Sequence, residues 1–311
     1  MNTIEGVKLS QLCDYSFGDQ ASITNNIIGG FMKSCNLSNI EFLNKIKDIS
    51  IEKSEATLFV DNIRLYRRPI IAKTQKDQNI VDGLMLYNSV LDLCSQYLNM
   101  KFIIITNLED TPIEESIEEQ IPSNVIAIYA ANCLYSSDKV IPIPYGLQRK
   151  LDAQDNRLDI IETHMQYNVE PTKLLYMNHH IQNNTIERSS INELFNGFDW
   201  ATVQTSRVDY PSFLSNIQNH KFTMCPMGSA IDCHRNWEVL YMKRVPVMKK
   251  HKALEKLYDN FPVLFVNEYS DITQKLLMDN DHLYRASINM DMSSLDLDVL
   301  FNRIIHKFKD N

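Results

Sequence analysis

Short β-branched runs alternating with segments of helical period constrain this chain more than any other feature. The first half carries ATLFV (56–60), KFIIIT (101–106), NVIAIYA (124–130) and KVIPIPYG (139–146). Between the first two, residues 78–99 place apolar side chains at three and four spacing, which predicts an amphipathic helix. The pattern restarts with KLLYMN (173–178), a helical segment over 185–195, DWATVQ (199–204), a helical SFLSNIQNH (212–220), KFTM (221–224), VPVM (245–248) and VLFVN (263–267). Parallel strands need crossovers, and strands spaced by helices supply them, so the fold class is α/β. At the carboxyl end Leu297, Leu300, Phe301, Ile304, Ile305 and Phe308 form a stripe preceded by Ser293 and Asp296 at capping-box spacing. A capped, packed amphipathic helix is expected there.

A chain of 311 residues with 44% hydrophobic content exceeds the size at which one core stops growing. Two domains follow. The charged stretch 148–173, which ends in Glu-Pro, is the natural connection, so the expected domains are 1–155 and 156–311. The formal net charge of −8 argues against a nucleic-acid partner, whose phosphates demand a basic surface. The amino terminus has no basic segment followed by an apolar one, and no run of about 18 apolar residues occurs. A cytoplasmic chain without a transmembrane segment is expected. Six cysteines stand singly with no C-x-x-C, so reduced thiols are expected.

The stretch CPMGSAIDCHRNWEVL (225–240) sits between KFTM and VPVM, inside a strand, turn, helix, strand unit. Gly228 permits close backbone approach, and Ser229 with Asp232 forms a capping-box pattern, so a helix is expected from Ala230. Its amino terminus would then face a ligand beyond the carboxyl end of KFTM, as open α/β sheets arrange. Arg235 is suited to clamping a diphosphate and Glu238 to accepting from ribose hydroxyls. Spacing alone leaves a solvated Asp232, Arg235, Glu238 series of i, i+3 ion pairs as the other reading. A metal site built from Cys225, Cys233, His234, His179 and His180 has no recognised zinc spacing. Cys233 and His234 are helix neighbours about 100° apart in direction, which disfavours a nucleophilic pair. Trp237 shares a face with Cys233 and Leu240 and is read as core.

These residues resemble the donor-binding motif of exostosin-like glycosyltransferases, in which a strand, Pro-x-Gly, a variable turn, Arg-x-Trp-Glu-x-Leu and a final Pro-Val recur in this order. KLLYMNHHIQNNTIER (173–188) and RVDYPSFLSNIQNHKF (207–222) are similar to the first strand and helix and to the pre-motif helix of that family's second domain. LFVDNIRLY (58–66), IIITNLEDTPI (103–113) and VIPIPYGLQR (140–149) are similar to first-domain segments. The resemblance spans roughly residues 56–270 and leaves residues 1–50 unmatched.

The resemblance implies a GT-B architecture, two Rossmann-like domains facing across a cleft, with the second holding a nucleotide-sugar. It implies inverting transfer to a glycan acceptor with no required cofactor or metal, the donor being a UDP-sugar by default. Arg235 and Glu238 fall on the family's diphosphate and ribose positions. Asn178 and Arg188 match the first-strand loop and following helix, and Gly228 with Ser229 completes the donor set. Inversion needs a base from the first domain. Asp110, beyond KFIIIT, is the leading candidate, with Glu109 and Asp61 as runners-up; an Asx turn before Thr-Pro is the other reading of Asp110. A noncatalytic nucleotide- or sugar-binding module on the same fold is the alternative function. The family usually has Gly where this chain has Lys243, which predicts a reshaped turn after the motif helix.

Overall fold

The computed structural model describes residues 3–17, 27–28, 47–48, 50, 53–60, 65–66, 89–107, 110–148, 157–167 and 169–310. The chain divides into one unit of Gly6–Ile143 with Leu297–Asn311 and another of Met1–Glu5 with Pro144–Asp296. The division thus falls at 143/144 instead of 155/156. The terminal helix, placed with the second domain from sequence, belongs with the first.

The first unit is built on a sheet of β1 (Tyr15–Phe17), β2 (Ile27–Ile28), β3 (Glu55–Val60), β4 (Lys101–Thr106), β5 (Val125–Ala130) and β6 (Val140–Pro142). Its order is β2-β1-β3-β4-β5-β6, with each pair parallel. β3 and β4 are buried along nearly their whole length, which explains why they read as continuous apolar runs: both faces of a parallel sheet are covered. Of the helix expected over 78–99, the described part forms Val90–Cys94, opened by a Ser89–Asp92 capping box. Residues 78–88 lie outside the described residues. The helix Leu297–His306 buries Leu297, Leu300 and Ile304 and packs on the helix Gly6–Leu12. Its expected cap is not formed. Ser293 instead lies in a separate 3-10 turn, Met292–Leu295, capped by Asp291.

The second unit carries β7 (Lys173–Met177), β8 (Ala201–Val203), β9 (His220–Met224), β10 (Val245–Lys249) and β11 (Leu264–Val266). All pairs are parallel and the order is β8-β7-β9-β10-β11. Numbered within the unit this is 2-1-3-4-5, one of the doubly wound orders, whose direction reverses between β7 and β9. The helical segment expected over 185–195 is two helices, Thr185–Arg188 and Ile191–Phe195, with Ser189 and Ser190 between them. Asp209 caps the helix Tyr210–Gln218, accepting from Ser212 N at 2.8 Å.

The first residues of the chain are stitched into this second unit. Ile4 N donates to Tyr241 Oη at 2.8 Å, Leu147 N donates to Ile4 O at 2.8 Å, and Tyr241 Oη donates to Leu295 O at 2.7 Å. Gly146 has φ +73°, and a Cβ on it would lie 2.4 Å from Ile4 O, so both conformation and space demand glycine. No helix among the described residues is long and apolar enough to cross a membrane.

Candidate functional site at the switch point of the second sheet

Crossovers between parallel strands are right-handed, so the connections leaving β7 and β9 depart on opposite faces and leave a crevice at the strands' carboxyl ends. Residues 178–180 leave β7 there, and residues 225–233 leave β9 and enter the helix His234–Tyr241. Every second-unit residue expected to bind a donor lies on these segments, on the helix His234–Tyr241 or on the helix Thr185–Arg188.

Arg188 is only 3% exposed and staples the two loops together. Its Nε donates to Met227 O at 2.7 Å, Nη1 to His180 O at 2.9 Å and Nη2 to Pro226 O at 2.8 Å. The planar, forked donor set suits three carbonyls at once. Neighbouring residues complete the frame. Asn184 caps the helix through Glu187 N and donates to Gly228 O at 3.2 Å. Glu187 Oε1 accepts from Met227 N at 2.9 Å and from Tyr269 Oη at 2.8 Å. Gly228 N donates to Ala230 O at 3.0 Å.

The backbone of residues 226–228 is therefore committed within the protein. Gly228 is required for a different approach from the one expected: a Cβ there would lie 3.1 Å from Arg188 Nη2 and 3.2 Å from Cys233 Sγ. Ser229 is exposed and caps no helix, its hydroxyl lying 3.5 Å from Asn183 O. Asn178 donates from its side-chain amide to Gln204 O at 2.9 Å and Ser206 O at 3.0 Å, tying the β7 loop to the β8 loop.

The motif helix begins at His234, with Cys233 as a cap that makes no side-chain hydrogen bond, and not at Ala230. Asp232 explains the shift. Its fully buried carboxylate accepts from Tyr145 N at 2.8 Å, Asn236 Nδ2 at 3.1 Å and Trp237 Nε1 at 2.9 Å, and from the Tyr258 hydroxyl. An aspartate drawn inward by Trp237 and Tyr258 cannot cap the helix from outside. Burial pushes its carboxyl up to about 6 against the hydrogen bonds it accepts. His234 stacks on Tyr145 at 4.4 Å and its Nδ1 is 2.7 Å from Gly146 O, so the segment is anchored on residues 145–146.

The helix ends in a Schellman motif, with Lys243 N donating to Leu240 O and Arg244 N to Val239 O. Lys243 has φ 54°, so the left-handed turn is kept and not reshaped. Its carbonyl is held by the Ser287 hydroxyl at 3.0 Å and by Arg244 Nη1 at 2.9 Å.

Arg235 and Glu238 lie farther along the helix. Neither belongs to a solvated row of ion pairs, because Asp232 and Glu238 are both buried. Arg235 holds its guanidinium carbon 5.5 Å from the Phe213 ring centroid, and its buried Nε has no hydrogen-bond partner. Glu238 accepts from Tyr210 Oη at 2.9 Å. Burial raises its carboxyl, opposed by Tyr210, Arg235 and Arg157. Arg157 lies 4.9 Å over the Tyr210 ring, a neighbour the sequence reading missed. His179, considered from sequence only as a metal ligand, is 8% exposed, and its ring meets the main chain of Arg188. Burial, with Arg235 and Arg188, lowers its pKa to about 4.

No group of three or more His, Cys, Asp or Glu side chains able to hold a metal occurs among the described residues. Cys13, Cys94, Cys133, Cys225 and Cys233 are free thiols. Cys233 is pushed up to about 11, chiefly by burial, and is a neutral thiol. No model of a known protein family and no curated protein matches the chain.

Asp110 belongs to the first unit. It is exposed beyond β4, and its main-chain carbonyl accepts from Asn132 Nδ2. Asn132 itself is buried with φ 56°, a conformation asparagine tolerates. Glu109 and Asp61 lie outside the described residues.

Proposed function

We propose that the chain is a nucleotide-sugar-dependent glycosyltransferase of the exostosin-like type. It would move a sugar from a UDP-sugar to a glycan hydroxyl with inversion and without a metal. The observation that carries this reading is the 2-1-3-4-5 parallel sheet whose switch point gathers the β7 loop, the β9 loop, Arg235 and Glu238. Ligands of open α/β sheets bind at such a point. The GT-B arrangement is the finer architecture we propose for the two sheet-based units.

The roles within the site follow from what each side chain has left to offer. Arg235 keeps an unpartnered Nε and supplies the fixed positive charge that a departing diphosphate needs. Glu238, held by Tyr210, presents its carboxylate to the ribose hydroxyls. Arg188, Asn184 and Glu187 hold the loop against which the donor rests, so Arg188 acts as a frame and a source of positive potential. In the first unit a carboxylate takes the acceptor proton; Asp110 is the candidate, with Glu109 and Asp61 behind it.

A panel of UDP, GDP, CMP and UDP-sugars in a chelating buffer tests the reading. Stabilisation by UDP that is lost in Arg235→Ala supports it, since a ligand at about 100 times its Kd adds roughly 2.7 kcal/mol to the native state. An unmoved unfolding midpoint with every nucleotide and nucleotide-sugar would sink it.

A further inference from the structure

Arg157, Tyr210 and Arg235 stand in the first turns of three helices, Arg157–Met165, Tyr210–Gln218 and His234–Tyr241, and the first of these packs on both others. Their side chains interlock. The Arg157 guanidinium carbon lies 4.9 Å over the Tyr210 ring, the Tyr210 and Phe213 rings stack with centroids 6.2 Å apart, and the Arg235 guanidinium carbon lies 5.5 Å over Phe213. Tyr210 Oη donates to Glu238 Oε1 at 2.9 Å, which ties the carboxylate to this stack.

The two oxygens of Glu238 are left in different states. Oε1 is taken by the phenol. Oε2 meets no donor among the described residues and, unlike the buried Nε of Arg235, is not closed off from solvent. Glu238 keeps 7% of its surface, so a ligand hydroxyl has one defined oxygen to meet.

Arg157 bears on that oxygen through Tyr210. A cation over a tyrosine ring draws electron density from it, which makes the hydroxyl a stronger donor. The guanidinium is held in place by Gln148, whose Oε1 accepts from Nη1 at 2.5 Å. Charge acts in the same direction: burial raises the Glu238 carboxyl, and Tyr210, Arg235 and Arg157 each oppose the rise. Cys225, just beyond β9, lies within electrostatic reach of the same carboxylate as a thiol kept neutral by burial.

We propose that Arg157 is a positioning residue of the nucleotide site: from over the Tyr210 ring it strengthens the phenol's hydrogen bond to Glu238 and so fixes the carboxylate oxygen that meets the ribose hydroxyls. The ribose contact rests on the function proposed above; the coupling of Arg157 to Glu238 through Tyr210 does not.

The test compares wild type, Arg157→Gln, Arg157→Lys and Tyr210→Phe. Calorimetry uses UDP and its dideoxy analogue, which lacks both ribose hydroxyls but carries the same diphosphate, so that titration of the phosphate cancels in the ratio of affinities. The Glu238 carboxyl is titrated separately without ligand by carbon NMR, its signal assigned with Glu238→Gln. In Arg157→Gln the carboxyl should titrate at higher pH than in wild type. At about pH 5 the variant should bind UDP about threefold to tenfold more weakly, converging on wild type by about pH 8, while the dideoxy analogue binds equally to both. Tyr210→Phe should show the same pattern, and Arg157→Lys, which keeps a cation, should recover part of the loss. An unmoved carboxyl titration, or an unchanged ratio of UDP to dideoxy affinity, overturns the inference while leaving a UDP site standing. Equal losses for both nucleotides also overturn it, because Arg157 would then act on the diphosphate or on the fold. If Arg157→Gln fails to fold, an unchanged ratio in Tyr210→Phe overturns it. No UDP binding by wild type overturns the ribose contact together with the function it rests on, whatever the carboxyl titration shows.

Discussion

A Cβ added to Gly228 would lie 3.1 Å from Arg188 Nη2, and that guanidinium cannot retreat because it already donates to the carbonyls of residues 180, 226 and 227. The pair is a single structural unit. Gly228→Ala should cost about 1–2 kcal/mol through overpacking. Arg188→Lys should cost on the order of 3 kcal/mol, because an ammonium cannot serve three separate carbonyls in the geometry of the fork. Urea unfolding measures both. Stability within about 0.5 kcal/mol of wild type for Arg188→Lys would show that the staple is dispensable.

Lys243 occupies a left-handed position that favours glycine. Lys243→Gly should therefore raise stability by about 1 kcal/mol, the steric cost relieved at such a cap. The Schellman hydrogen bonds and the contacts to its carbonyl come from backbone atoms and from Ser287 and Arg244, so the substitution leaves them in place. A drop in the unfolding midpoint would mean that the lysine side chain contributes something its backbone does not.

Asp232 makes stability depend on pH with a definite sign. Its folded pKa of about 6 lies above its unfolded value near 4, so its contribution is present below pH 4 and is lost as pH rises through 6. The loss is on the order of 3 kcal/mol for a shift of about two units. His179 and His220, both lowered to about 4 chiefly by burial, act in the opposite sense and lose stability as pH falls from 6.5 to 4. The Asp232 part is therefore read as a difference. Between pH 4 and 6 the stability gap between wild type and Asp232→Asn should narrow as pH rises. A constant gap would contradict the assigned shift.

Fold class was legible because central strands are buried on both faces and thus read as apolar runs, as in FIII of KFIIIT. In the second unit β7, β9 and β10 are largely buried, whereas β8 is half-buried and stands out only by its β-branched residues. The start of the motif helix was not legible. Ser229 and Asp232 have capping-box spacing, but Tyr145 and Tyr258 join Trp237 in claiming the Asp232 carboxylate, and those first two partners are distant in sequence. Arg188 shows the same limit: an arginine beside a candidate phosphate loop looks the same in sequence whether or not it also staples three backbone carbonyls. The ends of the chain exchange units, with Ile4 joined to Tyr241 in one and Leu300 and Ile304 buried in the other, and no local pattern encodes such a return. Trp237 was read correctly as core from its helical face and is fully buried.

The central claim is a metal-independent diphosphate site built on Arg235. Calorimetric titration of UDP in chelator-containing buffer, against wild type and Arg235→Ala, tests it most directly. The account predicts saturable UDP binding by wild type and a loss of tenfold to about a hundredfold in the variant, as expected for a buried charge-assisted contact. Equal affinity in the two proteins, or no UDP binding by wild type, would contradict it.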